Sequence, residues 1–97
     1  MDKITSYITL CQKAGKLSKG YENTRHEILK GKVHLVLVFK ELSENTKKAV
    51  FSFCEEGKIE CIEIDKSLDE AEFYIGKRCG ILGIEDAGFA RAIKNTL

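Results

Sequence analysis

The residues best suited to chemistry crowd one short stretch of the chain. Lys13, Lys16, Lys19 and Arg25 fall within it, broken by Gly15 and Gly20. Gly20 directly precedes a segment, Tyr21 to Lys30, that reads as a helix stopped by Gly31. A helix N-terminus presents unpaired backbone N–H groups and partial positive charge. With the three lysines and Arg25 around it, that end suits a polyanion. Asn23 and His26 lie early on the same helix, where their side chains can reach base edges.

Catalytic constellations are not evident. An enzyme needs a nucleophile with a base, paired carboxylates or a metal cluster. The chain lacks G-x-S-x-G, Walker A and H-E-x-x-H motifs. Gly76-Lys77-Arg78-Cys79-Gly80 and Gly80-Ile81-Leu82-Gly83 are rich in glycine but read as backbone turns. Glu55-Glu56 and Asp69-Glu70-x-Glu72 fall on polar helical faces, as do Lys47 and Lys48, and all read as solvated charges. His34 sits inside an apolar run and reads as a buried structural histidine. Cys11, Cys54, Cys61 and Cys79 form no C-x-x-C pair, and their apolar positions suit reduced core or near-core residues. No metal or cofactor is expected.

Charge is distributed unevenly. Residues 1–34 carry seven Lys/Arg against three Asp/Glu, whereas residues 35–97 carry nine against twelve. A local anionic partner fits this asymmetry better than a generally basic surface does. No apolar run approaches the roughly 18 residues of a membrane span, and the opening residues lack the order of a signal peptide. A cytoplasmic protein with no membrane partner is expected.

Six segments follow the polyanion site's glycine-bounded helix. Val33 to Phe39 is a nearly continuous β-branched and apolar run, as in a strand covered on both faces. Ser43 caps a helix with Ala49, Val50, Phe53 and Cys54 on its inner face, and Gly57 stops it. Ile59 to Ile64 is a strand, Ser67-x-x-Glu70 opens a helix closed by Gly76, Gly80 to Ile84 is a strand, and Asp86 caps the last helix. Ahead of the site, Ile4, Tyr7, Ile8, Cys11 and Ala14 keep helical spacing up to Gly15, and Lys16-Leu17-Ser18 has room for a short strand. Such alternation predicts one domain over residues 1–97, an α/β/α sandwich of three layers around a small mixed, mostly parallel sheet. Ligands then gather at the carboxyl ends of the strands, here Lys40-Glu41-Leu42, Asp65-Lys66 and Glu85-Asp86.

In this order, four blocks resemble the kink-turn-binding ribosomal protein superfamily of the L-seven-Ae and L-thirty-e type. They are Cys11 to Leu17 with Gly20, Ile28 to Val38, Ser43 to Lys48 and Gly83 to Ile93. The small bacterial YlxQ-like branch is the most similar. The resemblance implies the same three-layer fold. It also implies a non-catalytic RNA-binding protein whose second helix enters the widened major groove of a kinked RNA loop. A-form grooves are too narrow to read until such a kink opens them. By position, Gly20 is the family glycine, Glu22 stands where Asn is usual, Asn23 where Glu is usual and His26 where Lys is usual. The resemblance further implies that a loop before the last helix, here offering Ile84 and Ala87, contacts a flipped-out nucleotide.

The expected RNA-binding residues are therefore Lys13, Lys16, Lys19, Gly20, Tyr21, Glu22, Asn23, Arg25 and His26, with Lys40 and Ile84 at the margins. The expected partner is a structured RNA, kink-turn-like and associated with the ribosome or translation, ribosomal RNA included, bound by a monomer. The alternative is a protein-interaction module of the same fold that has lost specific RNA recognition.

Overall fold

A computed structural model describes residues 2–97; Met1 lies outside the described residues. The elements are α1 (Lys3–Lys13), β1 (Leu17–Lys19), α2 (Tyr21–Leu29), β2 (Leu35–Phe39), α3 (Glu44–Glu56), β3 (Cys61–Ile64), α4 (Leu68–Ile75), β4 (Ile81–Ile84) and α5 (Ala87–Asn95). Polar caps start the helices where expected. Ser43 accepts from the Thr46 N–H, Ser67 and Glu70 form a reciprocal capping box, and Asp86 accepts from the Phe89 N–H.

Alternation along β2 builds the sandwich. Leu35, Leu37 and Phe39 join Ile8, Cys11, Ala71, Ile75, Ala90 and Ile93 in one core, beneath α1, α4 and α5. Val36 and Val38 face the other way, toward Ile28, Val50 and Cys54 of α2 and α3. All five β2 residues are buried, as a strand covered on both faces requires.

The sheet order is β1-β4-β2-β3. Only β2 and β3 pair in parallel, while β4 runs antiparallel to both β1 and β2. The sheet is mixed, but the expected predominance of parallel pairs is corrected. α3 spans 13 residues, roughly 20 Å, and returns the chain along the full sheet to start β3. α4 has eight residues, roughly 12 Å, and Gly76 in the left-handed conformation turns the chain back at once. Gly80 therefore arrives beside Phe39, whose N–H donates to its carbonyl, and β4 runs down from the carboxyl end of β2. The two ends of the sheet consequently differ from expectation. One end gathers Gly20, Lys40, Lys66 and Gly80; the other gathers Lys16, His34 and Glu85-Asp86.

Lys47 also differs from its expected solvated state. It is buried, and its ammonium bonds the Glu63 carboxylate at 3.3 Å and pairs with Glu44 at 3.2 Å, whereas Lys48 is exposed. The stem covers apolar surface while the charge reaches acids at the rim.

Candidate nucleic-acid interface

α2 is seated by a glycine in another element. Gly83 of β4 lies opposite Ser18 of β1, and Ser18 Oγ reaches both Thr24 Oγ1 and the Gly83 carbonyl at 3.4 Å. Ser18 and Thr24 are buried. Because Gly83 has no side chain, Thr24 can settle on the sheet; with Ile28 buried on the same face, this turns Glu22, Asn23, Arg25 and His26 to solvent.

The first turn of α2 is open. Gly20 takes φ +96° and ψ 166°, and no side chain caps the helix. L residues avoid that backbone region, so glycine is required at this position. The first intrahelical bond is donated by Thr24 to the Gly20 carbonyl. The N–H groups ahead of it keep their capacity to bind an anion.

Two lysines flank this turn. Lys19 Nζ bonds Gln12 Oε1 at 3.1 Å and the Ile75 carbonyl at 3.5 Å. Lys77 Nζ donates to the Lys19 carbonyl at 3.5 Å and sits 3.3 Å from where a Cβ on Gly20 would lie. Lys77 and the loop that carries it, Gly76 to Gly80, were not among the residues expected here. They reach Gly20 only because β4 is inserted between β1 and β2, a long-range pairing with no local signal. On the same loop, Arg78 is held by the Asp69 carboxylate. Cys79 is half-buried, and burial pushes its thiol pKa up.

Other expected residues are redistributed. Ile84 is fully buried at the opposite end of β4, so it cannot meet a nucleotide. Its pairing with Leu17 and Leu35 turns its side chain into the core under α1 and α5. Lys16 stands at that same far end, where its carbonyl accepts from the Glu85 N–H, roughly 13 Å from Gly20 along the strand. Lys13 ends α1 beside it in sequence and is exposed. Tyr21 packs edge-on against Phe53 of α3, with centroids 5.3 Å apart, which gives its ring a structural role at the helix start. Lys40 is exposed two strands away from β1, beside a hollow that also holds Glu41, Asp65, Lys66 and Glu70, so acids offset its charge. His34, expected to be buried, is exposed on the lip of β2, with its N–H bonded to the Ile84 carbonyl.

Cys11 and Cys54 are buried, and Cys61 and Cys79 are partly so, in line with their reading as core or near-core thiols. Among the described residues no group of three or more His, Cys, Asp or Glu is placed to hold a metal ion. Among the described residues no helix is long and apolar enough to cross a membrane.

Residues 2–93 match the model of the ribosomal protein L7Ae/L30e/S12e/Gadd45 family. An Enterococcus faecium protein described as RNA-binding protein YlxQ is 37% identical, covering 98% of this chain and 91% of that protein. A Bacillus halodurans structure of unknown function superposes with a TM-score of 0.88 at 26% identity, over 98% of this chain and 96% of that one. The Giardia lamblia 15.5kD RNA binding protein shares the fold, with a TM-score of 0.76 at 10% identity over 98% and 85% of the two chains. The chain belongs to the ribosomal protein L7Ae/L30e/S12e/Gadd45 family, in its YlxQ-like branch.

Proposed function

We propose that this chain, as one domain, is a non-catalytic RNA-binding protein that docks a kink-turn or similarly bent RNA of the translation machinery on the Gly20 end of the sheet. The observation that carries this reading is the uncapped first turn of α2, flanked by Lys19 and Lys77. Asn23, Arg25 and His26 point to solvent from the same helix. The helix end and the lysines attract phosphate, which sets position, and Asn23 can both donate and accept at a base edge, which sets specificity. The family and the YlxQ relative, described as RNA-binding, support the reading. A monomer working in the cytoplasm accords with it. Within the interface, Lys19, Gly20, Asn23, Arg25, His26 and Lys77 carry the contacts. Glu22 sits on the docking face as an exposed carboxylate and repels phosphate. That single residue favours the second reading, a protein-interaction module.

The test is a titration into a kink-turn RNA labelled on both arms, with a control whose tandem G·A pairs are replaced by Watson–Crick pairs. Energy transfer between the arms should rise for the first RNA alone. Equal, weak and salt-dependent binding to both would reduce the surface to an electrostatic platform. Binding to neither would favour the protein-interaction reading.

A further inference from the structure

The end of the sheet opposite Gly20 carries its own basic surface. α5 crosses this end from β4 toward the start of β3, presenting Ala87, Arg91 and Lys94 along one face at helical spacing. With His34 on the lip of β2, they line an open hollow of about 240 Å³. Lys94 is partly neutralised, bonding the Glu60 carboxylate at 3.2 Å. Arg91 makes no ion pair among the described residues and is exposed. Lys16 and Lys32 stand at the same end of the molecule beside Glu85, whose carboxyl pKa is raised by burial and by the nearby Glu27 against the opposing pull of the two lysines. Acids are present as well: Asp86 caps α5 and Glu60 holds Lys94. The positive potential is therefore focused on Arg91 rather than spread over the whole end.

We propose that the hollow between His34, Arg91 and Lys94 is a second phosphate-backbone site, engaged by RNA that extends beyond the segment docked at Gly20. The inference rests on the RNA-binding reading above. Three features favour a phosphodiester backbone over an acidic protein. The hollow is open, and the apolar side chains that α5 contributes to it are the small Ala87 and Ala90, so a bulky chain can approach closely. Arg91 has donors for bidentate phosphate contact that no ion pair among the described residues occupies. The positive surplus of residues 1–34 continues to this end through Lys16 and Lys32. A ligand confined to the first turn of α2 cannot reach it, because β1 alone separates Lys16 from Gly20 by roughly 13 Å. Length of RNA therefore discriminates the two sites.

The experiment measures affinity and its salt dependence for a minimal kink-turn RNA and for the same RNA with one arm lengthened. It uses the wild-type chain, Arg91→Ala and Arg91→Lys. Each phosphate neutralised on a duplex adds about 0.9 to the slope of log K against log salt. The lengthened RNA should bind the wild type with a slope steeper by about 1 to 2. Arg91→Ala should lose about one of those contacts, which near 0.1 M salt is roughly an eightfold weakening, on the lengthened RNA only. Arg91→Lys should restore most of the slope. Equal wild-type slopes on the two RNAs, or an Arg91→Ala effect on both alike, would overturn the second site while leaving binding at Gly20 intact. Failure of the wild type to bind either RNA would overturn the RNA-binding reading and this inference with it.

Discussion

Replacing Gly83 by alanine should cost the protein a measurable part of its stability, because the seat of α2 leaves no room for a methyl group. A Cβ on Gly83 would fall on Ser18 Oγ, well inside contact distance, and lie 3.1 Å from Thr24 Cγ2 and 3.3 Å from Val33 Cγ2. Ser18 and Thr24 are 2% and 0% exposed, so neither can swing into solvent. Rotating the Ser18 hydroxyl away would break its 3.4 Å bonds to Thr24 and the Gly83 carbonyl, leaving a buried hydroxyl unpaired at about 1–3 kcal/mol. Shifting α2 instead is overpacking, which costs about the same. A loss of about 2 kcal/mol corresponds to a fall in Tm of roughly 8–16 °C for a chain of this size. Thermal unfolding followed by circular dichroism reads that shift. Ser18→Ala removes the obstructing oxygen, so in a double-mutant cycle Gly83→Ala should cost at least about 1 kcal/mol less in its background. A Tm for Gly83→Ala within about 2 °C of wild type, or simple additivity with Ser18→Ala, would refute the claim that Gly83 seats α2.

Four further outcomes are expected. Glu22→Asn should raise affinity for a kink-turn RNA by several-fold, by removing a carboxylate from the phosphate-facing turn; an unchanged dissociation constant would show that Glu22 lies outside the contact. Gly20→Ala should both destabilise the fold by about 1–3 kcal/mol, given its positive φ, and weaken RNA binding; denaturant unfolding beside a binding titration separates the two. Asp2 accepts from Lys66 and from the Thr5 N–H, in that order of effect, and its carboxyl is held down to about 2 from an ordinary 3.8. A depressed carboxyl stabilises the fold above pH 3.8 and loses that contribution as pH falls toward 2. Asp2→Asn should therefore flatten the acid limb of the stability curve over that window, by less than about 1 kcal/mol because the Asp2 side chain is half exposed. Burial pushes the Cys11 thiol pKa up to about 11, and its Sγ donates to the Lys16 carbonyl at 2.9 Å. Cys11 should resist iodoacetamide at pH 8 until the protein unfolds, which mass spectrometry of the labelled chain will show.

Local signals in the sequence were enough to place the helices and strands, because caps and breakers act on their own neighbours. Ser43, Ser67 with Glu70, Asp86 and Gly76 terminate helices where their chemistry dictates. The double-sided burial of β2 was likewise legible in its unbroken apolar run. Strand direction was not, because it depends on how far α4 carries the chain and on which neighbour β4 finds, and no single residue encodes either. That one topological fact changes the surroundings of the expected residues: it carries Ile84 to the end opposite Gly20 and brings Lys77 to Gly20. Exposure of His34 escaped detection for a smaller reason. The apolar run begins two residues before the ladder does, so His34 lies on the rim rather than inside the strand. Lys47 was misjudged because a lysine on an amphipathic helix can bury its stem while its charge finds Glu63 on a neighbouring strand.

The most direct test of where RNA docks is a map of backbone amide shifts while a kink-turn RNA is titrated into the labelled protein. The largest changes should fall on Lys19 to His26 and on Gly76 to Gly80, elements separated in sequence and joined only at this end of the sheet. Changes centred instead on the outer face of α3 or on β3, with the α2 N-terminus unmoved, would contradict the assignment of the Gly20 end as the RNA-binding surface.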